Sequence, residues 1–419
     1  MSYSINRLLS AVTLGAAICS SGAAWGTTVE VLAIGDSTTA GFRSDTSGDA
    51  NPSSQDHDLG GYRFYLDQNL GLNPNFAGTT FDFVGNRTQG TGTSGFSDNQ
   101  HWGVYGSEAS LDKTGNLGDG DGSTIPSTLT GISNAGPTSS INAAFNTNLT
   151  NPDAVLLGIG INSLPRRYND LAGSGTVEQR IETTLNNAVG QFVQLLDGDV
   201  GTSRTGLIDR LGDNAYFASD AHLFVSLIMP RTDTVPGATA NDQAVYERQP
   251  TIAADYNNRV KTELESRMGP GGALEGKVTF VDMFSITLAE LDLQALADEF
   301  FSGEADPLQA LKDAINPESE GGTDATDYVD WVYNASFSFD ESNYENGTLP
   351  VIEELVDPTG GNNNAMLMRD ALHPTNLGYA INAQVWENAL EAHYIPEPSS
   401  LLLMLGGGML AVSRRRRAR

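Results

Sequence analysis

Ser37 and His373 are far apart in the chain, but their neighbours suggest a shared chemistry. Ser37 follows a short apolar run in "VLAIGDSTTAGF", and His373 lies in "RDALHPTNLGYA". A serine hydroxyl is a weak nucleophile and needs a base within hydrogen-bond distance. Asp370, three residues before His373, can orient the imidazole and stabilise its protonated form. These residue types suit a hydrolase that forms a covalent acyl-enzyme on Ser37.

Both segments also have a simpler interpretation. Asp and Ser are good helix caps, so Gly-Asp-Ser also fits an ordinary helix start. Asp370 and His373 in turn fit a turn residue and a solvated residue before a proline. The other four histidines lack a comparable acidic partner, and we expect them to be structural or peripheral. They are His57, His101, His222 and His393.

Acyl transfer also needs hydrogen-bond donors for the oxyanion that develops on the carbonyl. Asn162, in "DAVLLGIGINSL", follows a buried strand that ends at Gly160, so its amide is expected at the same sheet edge as Ser37. In "HWGVYGSEAS", the backbone N–H of Gly106 is a second candidate, with Gly103 as the alternative. Taken alone, each of these residues also fits an ordinary turn.

Five apolar runs predict the strands that must position these residues. They cover residues 29–35, 80–85, 154–160, 222–229 and 277–282. Helical patterns separate the runs, including "GGYRFYLDQNL", "VEQRIETTLNNAVGQFVQLL" and "TIAADYNNRVKTELESRM". Strands that alternate with helices predict a parallel sheet with helices on both faces. The fold class is therefore α/β, a three-layer α/β/α sandwich enlarged by loop insertions.

Two long polar stretches, 107–150 and 300–365, are the predicted insertions. Asp119 and Asp121 lie in the first of them, in a Gly-rich loop that is compatible with calcium but lacks the further ligands of an EF-hand. The segment 288–301 has apolar residues at helical spacing. This spacing favours a helix packed on the sheet, and a lid over the site is the alternative.

The motifs "GDS" at Ser37, "GxxG" at Gly106, "GxN" at Asn162 and "DxxH" at Asp370 and His373 resemble, in this order, the SGNH (GDSL-type) hydrolase family. The segments "GGYRFYLDQNL", "FDFVGNRT" and "HWGVYG" are similar to its carbohydrate-esterase branch.

The resemblance implies a flavodoxin-like fold with a five-stranded parallel sheet and a role for each motif residue. Ser37 is then the nucleophile, His373 the general base and acid, and Asp370 the residue that orients His373. The oxyanion hole consists of the N–H groups of Ser37 and Gly106 and the amide of Asn162. The resemblance implies neither a cofactor nor a metal.

The sequence departs from the family at two positions beside these residues. Ser163 follows Asn162 where the family usually has Asp, and Thr38 stands where Leu or Ile is common. The first departure affects the expected loop geometry, whereas the amide donor is retained.

The charge of the chain excludes one large class of partners. Its 419 residues contain 23 Lys and Arg against 52 Asp and Glu, a net charge of −29. A nucleic-acid-binding protein needs a basic face to neutralise phosphates. The sequence therefore predicts no nucleic-acid partner, and the same charge disfavours anionic lipid surfaces.

The two ends predict export. Residues 1–26 have the layout of a secretory signal peptide, and their removal takes away Cys19, the only cysteine. Residues 395–419 contain Pro396-Glu397-Pro398, a short apolar segment and an Arg cluster. This tail resembles the PEP-CTERM sorting signal of Gram-negative bacteria. The resemblance implies transient membrane association, processing by an exosortase, and a cell-surface or extracellular location for the 27–394 hydrolase domain.

The predicted function is a secreted serine ester hydrolase that removes acetyl groups from a polysaccharide. One alternative is a lipase or thioesterase that uses the same triad on longer acyl chains. Another is a non-catalytic, exopolysaccharide-associated surface protein on a hydrolase scaffold.

Overall fold

The fold is built around a parallel sheet covered by helices on both faces. The computed structural model describes residues 27–41, 60–85, 87–88, 100–103, 151–165, 168–199, 204–205, 207–211, 217–228, 239–246, 248–283, 291–315, 374 and 376–395. The strands in these ranges are β1 (Thr27–Gly35), β2 (Thr79–Val84), β3 (Arg87–Thr88), β4 (Gln100–Gly103), β5 (Ala154–Gly158), β6 (Gly198–Asp199), β7 (Arg204–Thr205), β8 (His222–Leu227) and β9 (Val278–Asp282).

The five main strands are all parallel and have the order β2-β1-β5-β8-β9. This is the flavodoxin-like order, in which the first strand lies between the second and the third. The predicted five-stranded parallel sheet is confirmed.

The helices connect these strands and cover the sheet. The α-helices in the described ranges are α1 (Ser37–Ala40), α2 (Tyr62–Leu72), α3 (Val177–Asp197), α4 (Leu207–Leu211), α5 (Ala240–Tyr246), α6 (Gln249–Met268), α7 (Leu293–Phe300), α8 (Pro307–Ile315) and α9 (Asn376–Tyr394). Short 3₁₀ turns occupy Pro74–Phe76, Ile161–Ser163 and Tyr168–Asp170.

Alternating side chains of the strands feed two separate cores. In β1, Val29 and Val31 belong to the core formed with α2, α7, α8 and α9. Leu32 and Ile34 belong to the core formed with α3, α4, α5 and α6. Because both faces of the sheet are covered, the strands are apolar almost throughout, which is typical of parallel sheets. The result is the predicted three-layer α/β/α sandwich.

The edge beside β1 carries two strands that were not predicted. Strand β4 runs parallel to the end of β1, with Trp102 opposite Ile34 and Gly103 opposite Gly35. Strand β3 is antiparallel to β4, so the sheet formed by the described residues has seven strands.

The predicted helix in 288–301 and the two predicted insertions differ in their outcome. The segment 288–301 contains α7, whose Leu296 and Ala297 are buried in the α9-side core, as expected for a packed helix. The predicted insertion 300–365 begins with a helix, α8, so its first part is not a loop. The insertion 107–150, with Asp119 and Asp121, lies outside the described residues.

At the amino-terminal edge of the sheet, two histidine rings stack on each other. His222 opens β8, and its ring centroid lies 3.8 Å from that of His393 in the last turn of α9. The His222 Nε2 atom is 2.9 Å from the Thr279 hydroxyl. Burial, with the nearby His393 charge as a smaller cause, lowers the pKa of His222 from 6.5 to about 4. This histidine is therefore neutral and structural.

We expect this buried ring to make the fold sensitive to acid. Between pH 6.5 and 4 the unfolded chain binds a proton on His222 that the folded chain excludes, so the free energy of unfolding falls as the pH drops through this window. Replacement of His222 by Phe removes this contribution. From pH 7.5 to pH 5, the melting temperature of the wild type should fall roughly 3 °C further than that of His222→Phe. Melting temperatures are measured by circular dichroism. An equal decrease in the wild type and in His222→Phe would show that His222 does not titrate in this way.

Candidate active site

Ser37 and Asn162 follow the carboxyl ends of two neighbouring strands, β1 and β5. The two strands are in register up to Gly35 and Gly158. Strand β2 lies on one side of β1 and the rest of the main sheet on the other, so the strand order reverses at this point. Open α/β sheets bind their ligands at such a switch point, outside the carboxyl ends of the strands. The sequence-predicted nucleophile and oxyanion donor are thus at one edge of the sheet.

Ser37 is the first residue of α1, a helix of a single turn. Asp36 caps this helix, and its side chain accepts a hydrogen bond of 2.9 Å from the N–H of Thr38. Gly41 ends the helix in the left-handed conformation, with φ of 85°. Ser37 is 3% exposed and Asp36 2%. Asp36 is therefore a helix cap, as the simpler interpretation expected, and Ser37 lies at the start of the helix in a tight strand–turn–helix connection.

Backbone crowding around Gly35 forces this connection to be tight. A Cβ atom at Gly35 would lie 2.3 Å from the carbonyl oxygen of Gly158 and 2.1 Å from the hydroxyl oxygen of Thr39. Real Cβ atoms essentially never approach other atoms so closely. Glycine at position 35 therefore lets α1 start directly against β5.

Asn162 lies in the 3₁₀ turn Ile161–Ser163 and is half-buried. The turn begins at Gly160, which has φ of 132°. A Cβ atom there would lie 2.6 Å from the hydroxyl oxygen of Tyr256, a fully buried residue of α6. The backbone at Gly160 thus packs on the Tyr256 ring, and this contact fixes the direction in which the chain leaves β5 toward Asn162.

Asp370 and His373 lie outside the described residues, and their side chains are not assigned a position. The description resumes at Pro374, which is buried, and α9 begins at Asn376. The first half of α9 packs against the turn that carries Ser37. A Cβ atom at Gly61, which lies against Gly41, would be 3.1 Å from the Tyr379 ring.

Gly106 also lies outside the described residues. Gly103, the alternative donor, ends β4 and is the register partner of Gly35. The chain therefore passes the carboxyl end of β1 three residues before Gly106.

A cavity of about 50 Å³ lies beneath the Ser37 turn. Its walls include Asp36 and Thr38, on either side of Ser37 in the chain, together with Ile161 after β5. The buried side chains of Tyr62 and Asn382 also line it, and neither the Tyr62 hydroxyl nor Asn382 Oδ1 makes a hydrogen bond of normal geometry within the described ranges. The cavity therefore combines apolar walls with polar groups.

Burial raises the pKa of Tyr62 to about 12, against a smaller opposing effect of the neighbouring Thr39 hydroxyl. The phenol is therefore protonated at neutral pH and can donate a hydrogen bond.

Arg63 is a residue of this site whose role the sequence did not indicate. Its side chain is fully buried, and its Nε atom donates a hydrogen bond of 2.9 Å to the carbonyl oxygen of Thr39. Nη2 donates a longer bond, 3.4 Å, to the carbonyl oxygen of Ala40. The "GGYR" segment is a recognisable sequence signal, but only the structure shows that its arginine points back at the Ser37 helix.

The described part of the chain contains neither a cluster of metal-binding side chains nor a membrane-spanning helix. No group of three or more His, Cys, Asp or Glu side chains suited to a metal ion occurs among the residues that the structure describes. None of the described helices is both long and apolar enough to span a bilayer. The apolar segment predicted in the tail is outside the described part of the chain.

A family model for the PEP-CTERM protein-sorting motif matches residues 395–417. The predicted sorting signal is confirmed, and it indicates export followed by C-terminal processing. No curated protein matches the sequence.

Several solved structures resemble the chain, all with low sequence identity. A family 3 carbohydrate esterase from Clostridium thermocellum is 17% identical, with a TM-score of 0.35, over 87% of this chain and 95% of that one. An acetylxylan esterase from Geobacillus stearothermophilus is 12% identical, with a TM-score of 0.32, over 89% and 97%. The aryl esterase of M. smegmatis is 15% identical, with a TM-score of 0.29, over 60% and 84%. At these values the activity has to be argued from the chain's own residues.

The contact between Gly160 and Tyr256 gives a prediction for the Asn162 turn. Gly160→Ala places a Cβ atom against the Tyr256 ring at a φ that L-residues rarely adopt, so we expect it to lower the free energy of unfolding by about 1 to 3 kcal/mol. Gly190→Ala is the matched control, because Gly190 is an exposed residue of α3 with nothing within 4 Å of the added atom. It should stabilise the protein by about 0.5 to 1 kcal/mol. Urea unfolding measures the free energy of unfolding of both variants. An unchanged value for Gly160→Ala would show that the turn accommodates the added Cβ atom.

Proposed function

We propose that this protein is a secreted serine ester hydrolase that removes acetyl groups from a polysaccharide. The observation that carries the proposal is the position of Ser37, at the first residue of a one-turn helix directly after β1, at the switch point of the sheet. A strand–turn–helix connection of this kind holds a serine outside the strand ends, where a substrate binds.

Helix α9 supports the assignment of His373 as general base and Asp370 as its orienting residue. His373 precedes Asn376, the first residue of α9, by only three positions in the chain. Tyr379, one turn into the helix, packs beside the Gly41–Gly61 contact next to the Ser37 helix. The chain that follows "RDALHP" thus lies beside the Ser37 helix, and this supports His373 as the base.

The adjacent strand ends support the oxyanion hole. By the resemblance to the hydrolase family, the backbone N–H of Ser37, at the amino end of α1, is one of the donors. Asn162 follows β5 in the chain, and Gly106 follows β4. Strands β5 and β4 are both neighbours of β1 at its carboxyl end. Together these three donors can surround a carbonyl oxygen that is bound above Ser37.

The reaction follows from these roles. His373 removes the proton from the Ser37 hydroxyl as its oxygen attacks the ester carbonyl, and the three donors stabilise the tetrahedral oxyanion. His373 then gives the proton to the departing alcohol, which leaves the acyl group on Ser37. A water molecule, deprotonated by His373, attacks this acyl-enzyme, and the carboxylic acid is released as Ser37 regains its proton.

The net charge of the domain and the size of its cavity support a substrate that carries a small acyl group on a carbohydrate. Without the two predicted processed ends, the chain has 17 basic and 51 acidic residues, a net charge of −34 that repels anionic lipid surfaces. The cavity beside the Ser37 turn, about 50 Å³, has room for a small acyl group. Helix α7 is packed into the core, which weakens the lid expected for a lipase.

Export supports the same assignment. The proposal includes removal of residues 1–26 and processing of the tail by an exosortase, so that the domain acts at the cell surface or outside the cell. Extracellular polysaccharide is a substrate that is available there.

Loss of the nucleophile or the base is the central test. Ser37→Ala and His373→Ala should each lower turnover of nitrophenyl acetate by about 10⁴ to 10⁶, and Asn162→Ala by about 10² to 10³ because other donors remain. Activity should also fall in acid with an apparent pKa of roughly 6 to 7, as His373 takes up a proton. Initial rates with the purified domain measure all of these effects.

Ser266→Ala is the matched control, because Ser266 is exposed near the end of α6, where its hydroxyl bonds the carbonyl of Glu263. It should retain full activity. A folded Ser37→Ala protein with unchanged turnover would overturn the mechanism, and a folded wild type without activity would favour the non-catalytic surface protein.

Acyl-chain length separates the esterase from the lipase. Acetate esters should be hydrolysed at least about tenfold faster than octanoate esters, since a small pocket excludes added methylenes. Acetylated polysaccharide should release acetate, which is measured enzymatically. A faster reaction with octanoate, or activation by a lipid interface, would favour the lipase.

A further inference from the structure

Arg63 is the only buried charged side chain of α2, and it lies against the backbone of the helix that carries Ser37. It is 0% exposed. Removing a guanidinium group from water costs a great deal of free energy unless hydrogen bonds compensate. Two N–H groups of Arg63 donate hydrogen bonds to carbonyl oxygens of the four-residue helix α1.

These two bonds provide partners for the last two carbonyl groups of α1. The last carbonyl groups of a helix have no partner in the helix. The N–H of Ala40 bonds the carbonyl of Asp36, and the N–H of Gly41 bonds those of Ser37 and Thr38. The carbonyls of Thr39 and Ala40 remain, and these are the two that accept from Arg63.

The short distance between the two backbones makes this contact possible. A Cβ atom at Gly41 would lie 2.3 Å from the carbonyl carbon of Gly60 and 2.4 Å from the nitrogen of Gly61. A Cβ atom at Gly61 would lie 2.6 Å from the Cα atom of Gly41. The end of α1 therefore touches the start of α2, and Arg63 in the first turn of α2 reaches back to α1.

We infer that Arg63 is a positioning residue for Ser37. This inference rests on the proposed function, in which Ser37 is the nucleophile. Helix α1 has four residues, so any movement of its last two carbonyls is transmitted to its first residue. Arg63 acts through this backbone and does not contact the substrate. A displacement of reacting atoms by about 1 Å can lower a rate by about 10².

The test compares Arg63→Met and Arg63→Lys with the same changes at Arg267. Arg267 donates to the carbonyl of Glu263 and pairs with Asp197, at the carboxyl ends of α6 and α3. These helix ends lie at the amino-terminal edge of the sheet, away from Ser37. The Arg267 variants therefore control for the loss of an arginine that stabilises a helix end.

Two readouts separate positioning from stability. The first is kcat and KM for nitrophenyl acetate. The second is the rate at which an organophosphorus fluoridate labels the wild type and each variant, a reaction that forms a bond between the Ser37 oxygen and phosphorus and releases fluoride. Mass spectrometry identifies the labelled residue, and thermal unfolding shows that each variant is folded.

Arg63→Met should lower kcat and the labelling rate by about 10² while KM changes less than about threefold. Arg63→Lys keeps the charge but loses the forked donors, and it should lower both rates by about tenfold. If Arg63→Met does not fold, the Lys variant decides. The Arg267 variants should lose stability and keep both rates.

The outcomes that contradict the inference are distinct from those that contradict the proposed function. Labelling of Ser37 in folded Arg63 variants at the wild-type rate would overturn the positioning role and leave the hydrolase proposal intact. A wild type whose Ser37 is not labelled, or whose activity survives Ser37→Ala, would overturn both.

Discussion

The close approach of β1 and β5 at their carboxyl ends is the constraint on which the site depends. Gly35 and Gly158 face each other in register, and no side chain fits between the Gly35 backbone and the Gly158 carbonyl. Because of this contact, α1 starts as soon as β1 ends, and Ser37 cannot move away from the edge of the sheet. The Asn162 turn leaves the neighbouring strand a few residues later, so one backbone contact sets the positions of both residues.

Helix α1 is also stabilised by groups outside the helix. The helix has too few residues to hold itself together, since isolated helices of this length are not stable in water. Its stability comes from Asp36 at one end, Gly41 at the other, and the side chain of Arg63 from a different helix. The Ser37 turn is therefore held by hydrogen bonds of buried charged and backbone groups, and such bonds are stronger in a buried environment than in water.

The main strands could be predicted because both faces of the sheet are buried. Each becomes a continuous apolar run, and the observed bounds differ from the predicted ones by two residues or fewer. Strand β3 has only two residues, and its pairing with β4 depends on tertiary contacts. Helix α9 is buried on almost all sides, so its sequence lacks the polar face by which α3 was recognised. The role of Arg63 was hidden because its partners are carbonyl groups 23 and 24 residues away, which carry no sequence signal.

Helix α9 separates the start of the tail from the edge of the sheet that carries Ser37. The helix has 19 residues and is about 28 Å long. Its first half packs beside the Ser37 turn, and its last turn contacts His222 at the amino-terminal edge of the sheet. The PEP-CTERM motif begins at residue 395, directly after this last turn. The residue at which this motif begins therefore lies at the edge of the sheet opposite the edge that carries Ser37.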